Sequence, residues 1–393
     1  VAAVESGAII ITGETSKVDN ARETVMRLAE GLGDFVVATA GPHLESVIAG
    51  RGSGAAAYSE ANNARVLNID VGGGTSNYVV FEAGRVVDSA CLNVGGHLIE
   101  TDAQGRVTTV HFPGAMVLRE LMPTGHSLAH LGLHDLGRVA DRMAELIVEV
   151  IEARPSALAS RLMMTEPLRQ AHRFDAIFVS GGVGECMLRP SIESPFRFGD
   201  IGPMLADALA GLLEEHRLPV KPPAQTLRAT VIGAGAHTLQ LSGSTVWNRY
   251  DGATLRNVPV IQAQMRWRDF RPGALVAAWT AAAQNHDLDP AADLCAVALP
   301  ADMPPTCQTV WQVALELQGF ARAHAGGPHP FVAVAAQDIG KALGMELFRL
   351  VPNRPLLVID EVRTREGDYL DIGKSYFNGG TIPVTVKSLA FPH

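Results

Sequence analysis

Residues 68–77 read Asn68-Ile69-Asp70-Val71-Gly72-Gly73-Gly74-Thr75-Ser76-Asn77, an apolar run that ends in an acid and three consecutive glycines. Glycine has no Cβ, so three in a row let an anion come close to main-chain N–H groups. Phosphate fits that description. Asp70 would face the same space, where a carboxylate can hold a hydrated Mg2+ or orient a water, and Thr75 adds a hydroxyl. The same residues also suit a glycine-rich hairpin with a solvated acid, and taken alone they leave both readings open.

Two more glycine loops follow the same grammar. Ser180-Gly181-Gly182-Val183-Gly184-Glu185 comes after the apolar run 177–179, and Gly95-Gly96-His97-Leu98-Ile99-Glu100 comes after an expected hairpin. Ligands of α/β proteins collect at the carboxyl ends of strands, so three such loops predict a polyphosphate lying across a cleft between two lobes. Other motifs fail on spacing. Gly373-Lys374-Ser375 ends like a Walker loop, but Asp368 stands where that loop needs its first glycine. In 233–238, Thr238 replaces the third small residue of a dinucleotide fingerprint, and Asp251 is too near to serve as its acid. His126, His130 and His134 recur every four residues, yet Pro123, Gly125 and Gly132 oppose a regular helix, so a solvated loop is expected there rather than a metal site.

These loops need strands to present them. Short β-branched runs alternate with amphipathic stretches along the chain, which predicts an α/β fold around a mostly buried sheet. Strands are expected at 8–12, 35–38, 66–71, 177–179 and 227–232, with a hairpin over 77–82 and 85–89 turning at Ala83-Gly84. Helices are expected at 20–30, near 204–215 and, most strongly, at 135–153. There Leu136, Val139, Met143, Leu146, Ile147 and Val150 share one face and Pro155 ends the run. Alternation restarts near Val258, Ala296, Val332 and Leu357. We therefore expect lobes over 1–245 and a C-terminal α/β domain over 246–393.

Composition narrows the function classes. The 393 residues carry 32 Lys and Arg against 41 Asp and Glu, a net charge of −9, with no basic window that would suit a nucleic acid. Hydrophobic residues reach 47%, yet no apolar run has the length of a membrane span. Four cysteines without a CxxC pair, Cys91, Cys186, Cys295 and Cys307, predict reduced thiols in a cytoplasmic setting. Val1 is not an initiator methionine, and a missing N-terminal segment is expected.

Asp70-Val71-Gly72-Gly73-Gly74-Thr75 resembles the second phosphate motif of the actin-like ATPase superfamily, whose lobes are ribonuclease H-like. Gly95-Gly96 resembles the paired glycine that follows it, and Ser180-Gly181-Gly182-Val183-Gly184 resembles the superfamily's adenosine motif. More narrowly, Ile11-Thr12-Gly13-Glu14-Thr15, Ala38-Thr39-Ala40-Gly41-Pro42 and the run 231–243 are similar to the reactivating factors of ethanolamine ammonia-lyase. So is Tyr369-Leu370-Asp371-Ile372-Gly373-Lys374. The resemblance implies a chaperone-like ATPase, using ATP and Mg2+, that releases damaged cobalamin from the adenosylcobalamin-dependent lyase so that intact cofactor can rebind.

By the same resemblance, Gly72, Gly73, Gly74 and Thr75 would hold phosphates, and Gly95, Gly96, Gly181, Gly182 and Gly184 would line the nucleotide. Asp70 would be the catalytic acid, near the metal and the attacking water. Ethanolamine ammonia-lyase is the implied partner, a homo-oligomer and association with a bacterial microcompartment are further expectations, and neither nucleic acid nor membrane is. One departure stands out: nothing before Asp70 matches the superfamily's first phosphate hairpin. A small-molecule kinase of the same superfamily and a nucleotide-binding scaffold without hydrolysis are the alternatives.

Overall fold

The computed structural model describes residues 6–11, 34–39, 41–122, 131–190, 193–227, 236–241, 246–250, 254–324, 329–373 and 382–388. Contacts divide the chain into two compact units. One is Gly41–Gly233 with Thr12–Thr15; the other joins Val1–Ile11 and Ser16–Ala40 to Ala234–His393. The strands expected first along the chain form β1 (Ser6–Ile11) and β2 (Asp34–Thr39), paired in parallel. The expected helix at 20–30, residues 228–232 of the expected strand, and His126 and His130 lie outside the described residues, and Leu227 is in a turn.

The Gly41–Gly233 unit opens with α1 (Pro42–Gly52) and α2 (Ala55–Asn62). The meander β3 (Arg65–Val71), β4 (Ser76–Glu82) and β5 (Arg85–Leu92) follows. Its second turn is the expected Ala83-Gly84, with φ of 50° and 78°, the left-handed pair that matches the twist of a two-residue hairpin. Next come β6 (Ile99–Thr101), β7 (Val107–Val110), α3 (Phe112–Leu121), α4 (Leu133–Ile151) and α5 (Ala157–Leu162). The unit closes with β8 (Ala176–Ser180), α6 (Gly181–Leu188), α7 (Gly202–Glu215) and β9 (Val220–Lys221). Its sheet runs β5-β4-β3-β8-β9, antiparallel through β3 and parallel beyond it. An antiparallel meander extended by parallel strands is the α/β lobe that the actin-like resemblance implies.

Strand periodicity sorts β3 between two faces. Leu67, Ile69 and Val71 are buried with Leu136, Val139, Met143 and Ile147 of α4 and Leu205 and Leu209 of α7. Val66 faces the other way, into a cluster with Val47, Ala55, Phe81 and Phe178. Helices therefore cover both faces. Burying an aliphatic side chain of this size contributes about 1.5–3 kcal/mol. The six apolar residues on the α4 stripe thus outweigh the tenths of a kcal/mol that separate ordinary helix propensities. Packing, more than propensity, holds the helix that carries the unit.

Besides β1 and β2, the other unit holds β10 (Ala236–Leu241), β11 (Trp247–Asn248), β12 (Leu255–Gln262), β13 (Ala296–Ala298), β14 (Phe331–Val334), β15 (Leu356–Ile359), β16 (Asp368–Ile372) and β17 (Pro383–Ser388), and these eight belong together. They form one sheet ordered β10-β17-β16-β12-β13-β14-β15-β11. Its parallel stretch β12-β13-β14-β15 bears out the four restarts of the alternation. Between those strands run α8 (Ala274–Asn285), α9 (Cys307–Ala323) and α10 (Gly340–Leu350). At the start of α8, the buried Glu316 of α9 accepts from the N–H groups of Gly273 at 2.6 Å, Leu275 at 3.1 Å and Val276 at 3.3 Å. A helix N-terminus attracts anions, and here the chain supplies its own. All four cysteines are free, and no helix among the described residues is long and apolar enough to cross a membrane.

Candidate functional site

All three glycine loops lie in the Gly41–Gly233 unit, and two of them are hydrogen-bonded to each other. The Gly72 N–H donates to Thr75 O at 2.9 Å, closing the triple-glycine turn. From the second loop, the Gly96 N–H donates to Gly72 O at 3.0 Å and the His97 N–H to Gly73 O at 2.7 Å. Those two carbonyls are thereby occupied. The N–H groups of Gly73 and Gly74 make no hydrogen bond among the described residues.

At Gly72 and Gly74 glycine is not a demand of the fold, whereas a Cβ on Gly73 would lie 3.0 Å from His97 Cβ. None of Gly72, Gly73 and Gly74 has a left-handed φ, and a Cβ on Gly74 would meet nothing within 4 Å. Neither backbone strain nor packing excludes a side chain there. A side chain at Gly74 would instead obstruct approach to the turn, whose amides form the kind of concavity that binds anions.

The third loop starts α6. Gly181 has a φ of 83°, and a Cβ there would overlap Asp70 Oδ1 and Val71 O. Only glycine lets the start of α6 sit this close to the end of β3. Ser180, the N-cap, makes no side-chain cap bond; its Oγ accepts from Asn68 Nδ2 at 3.2 Å. The amides in the first turn of a helix have no partner within it, and together with the helix dipole they favour negative charge. A Cβ on Gly182 would also meet nothing within 4 Å.

Asp70 sits between these features. It lies opposite Asn77 across the β3–β4 pair and beside Ser180 in the parallel register with β8, and it is 8% exposed. The buried side-chain oxygens Asn68 Oδ1 and Asn77 Oδ1 have no hydrogen-bond partner. Leaving a buried acceptor unmade costs about 1–3 kcal/mol. The Asp70 carboxylate, with Asn77 opposite it in the register and Asn68 two residues before it, is an oxygen-rich set of the kind that suits Mg2+ held through water. Among the described residues no group of three or more His, Cys, Asp or Glu could ligate a metal directly.

Sequence spacing did not single out Asn68 or Asn77. Asn68 carried a signal, standing two residues before Asp70 and so on the same strand face. Asn77 needed the hairpin register, which spacing does not supply. Three of the expected nucleotide-binding glycines have a packing reason of their own. A Cβ on Gly95 would lie 2.5 Å from Gly73 O, one on Gly96 2.6 Å from Gly202 Cα, and one on Gly184 2.6 Å from Val179 O. Thr75 Oγ1 lies 3.5 Å from Asn77 Nδ2.

The family model described as ethanolamine utilisation protein EutA matches residues 1–392. The chain is 54% identical over 389 residues to the ethanolamine ammonia-lyase reactivase EutA of Salmonella typhimurium, a match covering 99% of this chain and 82% of that one. It is 52% identical over 389 residues, with the same two shares, to the ethanolamine ammonia-lyase reactivase EutA of Escherichia coli. Among solved structures, MreB 5 of Spiroplasma citri bound to AMPPNP is 16% identical, over 57% of this chain and 64% of that one, with a TM-score of 0.28. A likeness at that score carries no argument.

Proposed function

This chain belongs to the family of ethanolamine utilisation protein EutA, and from that premise we propose that it is a reactivase of ethanolamine ammonia-lyase driven by ATP and Mg2+. Its task is to release damaged cobalamin from the lyase so that intact cofactor can rebind. The Gly41–Gly233 unit is the nucleotide-binding lobe.

Within it, the N–H groups of Gly73 and Gly74 hold phosphate oxygens. Gly72 and Thr75 close the turn that aims them. The first-turn amides of α6, kept accessible by Gly182, add a second anion-binding surface, and Gly181 brings that surface up to Asp70. Asp70 and Asn77 would hold the water shell of Mg2+, and the ion would supply charge neutralisation at the phosphates. Asp70 also orients the water that attacks the terminal phosphate and accepts its proton. Gly95, Gly96 and Gly184 serve by close packing.

One observation carries this reading: Gly74 offers a partnerless amide at a position where the fold has no need of glycine. An adapter that merely turned a hairpin would tolerate side chains there.

The test uses ethanolamine ammonia-lyase loaded with an inactive cobalamin. Mixed with this protein and ATP–Mg2+, the lyase is expected to release that cobalamin and regain activity on addition of adenosylcobalamin. Release at the same rate without nucleotide, or none with it, would overturn the proposal.

A further inference from the structure

Beside the triple-glycine turn stands a row of four side chains that the reading above does not use. His97 Nδ1 lies 3.2 Å from Asp200 Oδ2 and His97 Nε2 lies 3.6 Å from Glu100 Oε1. Glu100 Oε1 is also 2.7 Å from His111 Nε2, and the two imidazole rings are 6.2 Å apart. Acid and base alternate along the row: Asp200, His97, Glu100, His111.

Each end of the His97 residue does something different. Its main-chain N–H donates to Gly73 O, and its Cβ lies 3.0 Å from where a Cβ on Gly73 would stand. Its ring is fastened to Asp200, whose other oxygen accepts from the Gly202 N–H at 2.8 Å at the start of α7. Gly96 packs on Gly202 in the same place, and Glu100 and Asp200 form an isolated β-bridge. His97 therefore ties the turn to α7. Without the ring contact, only main-chain bonds would hold the turn's carbonyls back.

The row also has a charge that depends on protons. With both imidazoles neutral the four groups sum to −2; with both protonated they sum to zero. The groups facing His97 are Asp200 from the segment before α7, Glu100 from β6 and the His111 ring from the segment before α3. A polyanion on the turn is repelled by the first state and not by the second.

We infer that His97 is a positioning residue for the triple-glycine turn and that the Asp200–His97–Glu100–His111 row makes anion binding there proton-linked. This rests on the reading of the turn as a nucleotide site. The ring positions and never touches the reacting atoms, so its effect falls on affinity.

The experiment is calorimetric titration of ATP–Mg2+ into the full chain and into His97→Gln and Asp200→Asn, from about pH 8 to about pH 5.5, the interval in which histidine changes charge. Comparing proteins cancels the titration of ATP itself. Between these limits wild-type affinity is expected to gain roughly threefold to tenfold more than that of His97→Gln, the size of one or two partly screened charge contacts. At about pH 8 His97→Gln should bind more weakly than wild type while melting within a few degrees of it, and Asp200→Asn, which loosens the ring but also removes one negative charge from the row, should lose less. Identical pH profiles in all three proteins, with ATP bound, would overturn the inference and leave the nucleotide reading intact. Losses that merely track a lower melting temperature would overturn it too. No ATP binding by the wild type at any pH would overturn the nucleotide reading itself, and this inference with it.

Discussion

Gly95 stands against Gly73 so closely that a methyl group on it would lie 2.5 Å from the Gly73 carbonyl oxygen and 2.7 Å from that of Gly72. The second glycine loop is thus the floor on which the first one rests. Gly95→Ala must push the turn away or break its bonds to Gly96 and His97, and overpacking of this kind costs about 1–3 kcal/mol. Gly74→Ala meets nothing. The expected result is a lower melting temperature for Gly95→Ala and an unchanged one for Gly74→Ala, read from thermal denaturation followed by circular dichroism. Equal melting would refute the division into packing glycines and ligand glycines.

On the proposed reading Asp70 orients water and metal, so Asp70→Ala should lower ATP hydrolysis by at least about tenfold, on the order of 1.4 kcal/mol of barrier. Asn77→Ala, which removes the partnerless buried oxygen opposite Asp70, should weaken Mg2+ dependence. Steady-state phosphate release against Mg2+ concentration distinguishes the two. Unchanged turnover in Asp70→Ala would remove it from the mechanism.

Arg142 of α4 ties three elements together. It reaches Glu120 of α3 at 2.7 Å, Glu149 at 2.8 Å and Ser156, the N-cap of α5, at 3.3 Å. Burial pushes the Glu149 carboxyl up, but the hydroxyl and amide of Ser156 and the Arg142 guanidinium outweigh it and hold the group below its ordinary value. A depressed carboxyl stabilises the fold above its unfolded value and loses that contribution as pH falls through the folded one. Arg142→Met is expected to destabilise by roughly 1 kcal/mol at neutral pH, because its carboxylate partners are partly solvated. That difference should shrink on acidification. A difference constant from about pH 7 to about pH 3 would contradict the assignment.

Burial pushes the Cys295 thiol up to about 12, while Cys307 is exposed at the start of α9. The thiolate is the reactive form, so a maleimide at neutral pH should label Cys307 and spare Cys295 in the folded protein. The raised value also has a stability consequence. The unfolded thiol loses its proton first, so the contribution is present below the ordinary cysteine value and lost as pH rises toward about 12. Mass spectrometry of labelled peptides decides it, and equal labelling of both thiols would refute the burial.

Much of the sheet was readable in advance because buried strands write β-branched runs and the α4 helix writes a 3.6-residue stripe. Strand exits at Asp70 and Ser180 and the Ala83-Gly84 turn followed from those runs. Other things depended on approach in space. Gly95, Gly96 and Gly184 look like ligand glycines in one dimension, and only the distances to Gly73, Gly202 and Val179 give them a packing reason. Asn77 joins Asp70 through cross-strand register, and His97 meets Asp200 across 103 residues. Short helices such as α1 and α3 carry Gly and Pro, which mask the helical pattern of their apolar residues.

The most direct measurement is ATP affinity of Gly74→Val beside the wild type, by calorimetry with Mg2+ present. The φ at position 74 is not left-handed and a Cβ there meets nothing within 4 Å, so the variant should fold and melt like the wild type. It should bind ATP at least about tenfold more weakly, a loss of 1.4 kcal/mol or more, because its methyl groups stand over the open amides. Wild-type affinity in a well-folded Gly74→Val would mean that no phosphate rests on that turn.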